Sequence, residues 1–376
     1  MDFILKPDRI KTVYRGRLDF QEPGRESDSF FITDRSFGLC QALLSLAVFP
    51  LSGSAIEEIK TMTDQRPISR RLFLQTTALT TANLAKGQSR TTVAKPSTRR
   101  IPEFANAIGI VSASAHAQLT GRAHGRTFSL LEVPGILRNE LDLRVVDLNT
   151  SSFPDFSKTN RSYLDKLRTA VSDAGCVMTN LKMNQRGIDM NSPDKQVRDK
   201  ALSEYKRSID IASQLGCRWA RPLPAKPKPA MQIHISSYRE LCEYGAERNV
   251  TLLVENFEWM QAEADSVAKL VKAIGGNVAA GVDTGNWNSN EVRYAGLTKS
   301  FPLAVTCDFK ARRFGPNGEH NEYDLRRCFD IAWASGFRGP WALEHSNSDT
   351  KALLAGFANL RDMLRKWTIE NSATDK

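Results

Sequence analysis

From Ile108 onward, short apolar runs alternate with longer stretches in which apolar residues recur every three or four positions. A short apolar run bounded by turn residues predicts a strand buried on both faces, as in a parallel sheet. The longer stretches predict amphipathic helices. Strands are predicted at Ile108 to Ser114, Leu143 to Asn149, Cys176 to Asn184, Cys217 to Leu223, Thr251 to Glu255, Asn277 to Asp283, Ala304 to Lys310 and Pro340 to Glu344. Helices are predicted at Phe128 to Leu141, Tyr163 to Ala174, Asp199 to Leu215, Ser237 to Arg248, Asp265 to Ile274, Tyr323 to Ser335 and Thr350 to Trp367. Gly175, Gly216 and Gly336 sit where helix C-terminal caps are needed. No helix is read between the sixth and seventh strands.

Repeating strand-then-helix units over about 270 residues fit a (β/α)8 TIM barrel, so the expected fold class is α/β. A doubly wound open sheet is the competitor, but no Gly-rich nucleotide turn follows the first strand. The barrel is assigned residues 101–376, behind an extension of residues 1–100. Within the extension, Leu39 to Leu51 is apolar but short and broken by Pro50, which argues against a membrane span; a secretory core segment is the alternative. Residues 62–85 open with Met62 and contain Ser69-Arg70-Arg71-Leu72-Phe73-Leu74, a pattern similar to a twin-arginine export signal. Met62 is therefore a second candidate start, residues 86–100 read as a polar linker, and the expected location is exported or periplasmic, otherwise cytoplasmic.

Charge changes the picture less than its total suggests. The formal net charge is +10, but residues 1–100 hold 16 basic and 10 acidic side chains, leaving 36 and 32 for the body, about +4. With no zinc-finger spacing, RNA-binding signature or basic helix, a nucleic-acid partner is not expected. Six scattered cysteines, Cys40, Cys176, Cys217, Cys242, Cys307 and Cys328, include no C-x-x-C pair and read as buried reduced thiols.

The chemistry lies at the strand ends, because barrels carry their sites there. Glu255, Asp283, Asp308 and Glu344 end strands five to eight. Four carboxylates brought to one rim repel one another unless a cation holds them, which predicts one divalent metal ion. Oxygen ligands favour Mn2+ or Mg2+, with Co2+ or Zn2+ as alternatives. Such an ion would polarise the carbonyl and hydroxyl of a sugar or hydroxy-ketone, while Glu255 and Glu344 form the natural pair to move the proton on the adjacent carbon. Asn184, Arg221, Asn256, Asn286 and Lys310 stand at strand exits where they could hold hydroxyls, and His345 follows Glu344.

The segments VENF (Val254 to Phe257), GVDTGNW (Gly281 to Trp287), DFK (Asp308 to Lys310) and ALEH (Ala342 to His345), in this order, resemble the xylose-isomerase-like barrel superfamily of sugar isomerases and epimerases. The resemblance covers roughly residues 105–370. It implies Glu255, Asp283 and Glu344 as ligands of one ion, with the two glutamates exchanging a proton through an enediolate, as in the ketose 3-epimerase branch. Two departures stand out: Asp308 occupies the place of a ligating His, and Asn286 that of a substrate-contacting His. Endonuclease IV, in the same superfamily, resembles a three-metal site needing many histidines. This chain has five: His116, His124, His234, His320 and His345. The expected function is thus a metal-dependent sugar isomerase or epimerase with a small carbohydrate substrate. A hydro-lyase of the inosose-dehydratase kind and a non-catalytic carbohydrate-binding barrel are the alternatives. The oligomeric state stays open, with a homodimer one option.

Overall fold

The computed structural model describes residues 104–223, 227–315 and 317–374. The extension with its expected export signal and linker, and Cys40, lie outside them. Eight parallel strands close into a barrel in sequence order. They are β1 (Ile108–Val111), β2 (Val145–Asn149), β3 (Val177–Met183), β4 (Trp219–Pro222), β5 (Thr251–Val254), β6 (Val278–Asp283), β7 (Ala304–Lys310) and β8 (Trp341–Glu344). Around them run α1 (Val133–Leu141), α2 (Arg161–Asp173), α3 (Lys195–Leu215), α4 (Met231–Ala246), α5 (Ser266–Ile274), α6 (Asn290–Ser300), α7 (Leu325–Ala334) and α8 (Thr350–Thr374). No helix among the described residues is long and apolar enough to cross a membrane.

Several helices differ from the sequence pattern: α3 begins at Lys195, not Asp199, α4 at Met231, not Ser237, and α8 runs to Thr374, past Trp367, while two further differences have a clear local cause. The helix expected from Phe128 begins at Val133, because Pro134 lacks an amide hydrogen and is tolerated only in a first turn. The unread helix α6 is capped by Ser289, whose hydroxyl accepts from the Val292 amide. It hides from an apolar count because its inner face is built differently. A Cβ at Gly296 would collide with the Trp287 ring, and buried Arg293 donates to the Thr284 carbonyl while lying over the Tyr323 ring.

Strand alternation sorts the barrel's two surfaces. Val254, Val282, Cys307, Phe309 and Leu343 belong to the large apolar layer shared with the helices. The alternate positions Trp219, Leu253 and Ala279 form a second, small cluster with Phe104, which precedes β1. Two residues further along the same strands stand Arg221, Glu255 and, after Gly281, Asp283. An apolar run ending in an acid is thus the trace of a strand whose inner face is dry below and polar at its C-terminal end. All five cysteines among the described residues are buried and unpaired, as the composition suggested.

Candidate active site at the barrel mouth

The β6–β7 register sets Asp283 opposite Asp308, and the β7–β8 register sets Lys310 opposite Glu344. Glu255 follows β5 directly. Glu255, Asp283 and Asp308 each offer an oxygen atom within 4.8 Å of the others, a group that could hold a metal ion. Their side chains are at most 4% exposed, whereas that of Glu344 is 25% exposed and stands outside this triad, with Oε1 2.7 Å from Lys310 Nζ.

The loop after β6 is built to aim Asp283. Its Oδ1 accepts from the backbone amides of Gly285 (2.6 Å) and Asn286 (2.9 Å). Gly285 is required there, since a Cβ would come within 2.6 Å of the Lys310 stem. Asn256 clips the turn from the other side: Oδ1 accepts from the Asp283 amide, and Nδ2 donates to the carbonyls of Asp283 and Asn286. Asn256, expected to hold a substrate hydroxyl, is spent on this scaffold.

Three side-chain cations share the mouth with the acids. Lys182 on β3 places Nζ 2.5 Å from Asp308 Oδ2 and 3.3 Å from Glu255 Oε2. Arg221 on β4 brings Nε to 2.7 Å from Glu255 Oε2, and its Nη1 donates to Asn184 Oδ1 at 2.7 Å. Lys310 reaches Glu344, Asp283 (3.3 Å) and Asn286 Oδ1 (3.1 Å). A fifth acid, Asp147 on β2, is buried and accepts from Asn180 Nδ2. Among the described residues, five carboxylates against three cations leave two negative charges in excess when all are ionised.

That excess appears in the titration of the acids. Burial, opposed by nearby lysines, raises Asp147 to about 6 and Asp283 to about 6, and pushes Asp308 upward as well. Glu255 goes the other way: burial would raise it, but Arg221, Lys182 and Lys310 together bring it down to about 2. Lys182 is held charged despite burial by Asp308, Glu255 and Asp147. Asp308 Oδ1 is buried with no hydrogen-bond partner, so one residue of the triad has an oxygen with a free lone pair. Three hard carboxylates, one of them with a spare oxygen, and a surplus of two charges fit one divalent ion.

Of the remaining expected contacts, Asn286 Nδ2 lies 3.4 Å from Glu255 Oε1, and Asn184, Arg221 and Lys310 belong to the same network. His345 does not. Its Nδ1 meets the Ala311 carbonyl at 2.9 Å, and its ring packs on Phe314, Phe357 and Gly356, which makes it a core histidine between loop and α8. Lys182 and Asp147 are the residues that strand-end reading passed over. The only signal was a charged residue within a predicted strand. Beside the mouth lies a cavity of about 800 Å³ that begins at Asn184 and is lined further by Ile188, Met190, Leu223, Ile233 and Phe257.

The family model for the xylose isomerase-like TIM barrel matches residues 139–367, and the chain belongs to that family. No curated protein matches the chain. Among solved structures, D-psicose 3-epimerase with D-tagatose from Clostridium cellulolyticum H10 is similar over 69% of this chain and 98% of its own, at 13% identity and a TM-score of 0.56. A xylose isomerase-like TIM barrel protein from Mycobacterium smegmatis in complex with magnesium is similar over 70% and 97%, at 19% identity and a TM-score of 0.50. The probable 3-DHS dehydratase AsbF from Bacillus anthracis is similar over 67% and 97%, at 11% identity and a TM-score of 0.51. At these identities the likeness is one of fold.

Proposed function

We propose that this chain is a divalent-metal-dependent sugar isomerase or epimerase. The reading rests on one observation: three buried carboxylates within 4.8 Å of one another, one of which, Asp308, has an unpartnered oxygen. Glu255, Asp283 and Asp308 would hold the ion, with Mn2+ or Mg2+ favoured by the all-oxygen donor set. When bound it would polarise the carbonyl and neighbouring hydroxyl of the substrate. The chain's own groups do the rest. Glu344, the most open of the acids, is placed to move the proton on the carbon beside the carbonyl. Lys310, 2.7 Å away, keeps its carboxylate oriented. Glu255, acidified by Arg221 and Lys182 against its burial, is a poor base and serves first as a ligand. Asn184, Asn286 and Lys310 are the proposed hydroxyl contacts, and the cavity beyond Asn184 would take the rest of a small carbohydrate.

The test is metal analysis of the purified protein, followed by a screen of ketoses and inositol ketones with and without chelator. Glu344→Gln is expected to lower turnover by about 10²-fold or more while leaving bound metal unchanged. Full activity in that variant, or in chelated protein, would refute the mechanism. A hydro-lyase is the second reading, favoured by the Lys310 ammonium beside Glu344, which could protonate a departing hydroxide. NMR of the product formed in D2O separates the two, since epimerisation returns an isomer carrying deuterium and dehydration an unsaturated product. We further propose export through residues 62–85, tested by cell fractionation of the chain with and without Arg70 and Arg71.

A further inference from the structure

Lys182 stands out in this cluster because of where it comes from. Its strand, β3, is four strands removed from β7 in an eight-stranded barrel, so its stem crosses the mouth to reach Asp308. The ammonium lies between Asp308 and Glu255, at 2.5 and 3.3 Å, and its side chain is 5% exposed. Both partners belong to the carboxylate triad. A carboxylate carries a full negative charge and draws an ammonium in more strongly than a neutral acceptor does. Charge for charge, Asp308 with Lys182 equals one neutral ligand.

We propose that Lys182 is a resident competitor for the cation at this centre, its ammonium holding two of the three carboxylates until a divalent ion displaces it. The proposal rests on the metal-binding reading above. A divalent ion drawing on Glu255 and Asp308 must either move the ammonium or sit beside it against like-charge repulsion, and either course weakens binding. Removal of the lysine charge therefore tightens metal affinity, although it removes a stabilising partner from the metal-free fold.

The experiment is calorimetric titration of Mn2+ into the metal-free full chain, compared with Lys182→Gln, whose amide keeps a donor but no charge. Circular dichroism checks that each protein is folded. The expected result is at least about tenfold tighter binding in Lys182→Gln, or about 1.4 kcal/mol. Equal affinities would overturn the competitor role while leaving the metal centre standing. If neither protein binds Mn2+, the metal reading itself fails and this inference with it. Should Lys182→Gln not fold, Lys182→Met, which fills much of the same space without the charge, takes its place. Tighter Mn2+ binding than wild type supports the proposal there, and equal or weaker binding overturns it.

Discussion

The first and second halves of the barrel deliver opposite charges to the same mouth. β3 and β4 supply Lys182 and Arg221, while β5 to β8 bring Glu255, Asp283, Asp308 and Glu344. Asp147 on β2 and Lys310 on β7 are the exceptions on either side. Two neutralising pairs run between the halves, Arg221 with Glu255 across neighbouring strands and Lys182 with Asp308 across the opening, while Lys310 pairs with Asp283 and Glu344 within the second half. Neither half satisfies its own charges, so the mouth becomes electrostatically tolerable only on closure. A buried charge stripped of its partner costs more than the pair contributes, and that asymmetry makes the comparison testable.

The largest effect is expected from Arg221→Met, which leaves Glu255 with Lys182 as its main counter-charge and should cost about 3–5 kcal/mol in urea unfolding of the metal-free protein. The double variant Arg221→Met/Glu255→Gln should cost clearly less, because both charges leave together. Equal losses would mean that Arg221 acts by packing and not by charge.

Next comes a contrast between the acid-rich mouth and a buried histidine in the wall beside it. His234 on α4 is fully buried against Tyr238 and Trp259, with Nδ1 on Asn191, and burial lowers it to about 4. Unfolded, it takes a proton near 6.5, so its contribution is complete above that pH and is lost as pH falls towards 4, by up to about 3 kcal/mol. Asp147, raised to about 6 by burial, runs the other way. Its contribution is complete below its unfolded value near 3.9 and is lost as pH rises through about 6, again by about 3 kcal/mol. In metal-free protein, His234→Phe should flatten the acid side of the stability profile. Asp147→Asn should raise stability at pH 7 relative to wild type. Profiles parallel to wild type in both variants would remove the distinction between wall and mouth.

The smallest effect concerns the scaffold within the second half. Asn256→Ala strips the Asp283 amide and two carbonyls of their partners and should cost about 1–3 kcal/mol, with faster hydrogen exchange at the Asp283 amide. Unchanged exchange would show that Asn256 does not hold the turn.

The legible parts of this protein were the local ones. Asp283 could be read as a strand-end acid because the run before it and the Thr284-Gly285-Asn286 turn after it are contiguous in the chain. The same grammar exposed Glu255 and Glu344, and the barrel followed from its repetition. Helix α6 escaped because Gly296 and Arg293 replace the apolar side chains that periodicity looks for. Asn256 and His345 looked like site residues by position, but their hydrogen-bonding atoms face backbone.

What the amino-acid order determined by itself was the period, the turns and the set of acids, since each depends on neighbours a few residues away. What only the tertiary structure decided was the company those acids keep. Lys182 is the penultimate residue of β3, 126 residues from Asp308, and nothing near it in the chain distinguishes a lysine facing solvent from one crossing a barrel. Electrostatic partners are chosen by distance in space, and closure of the sheet is the step that sets that distance.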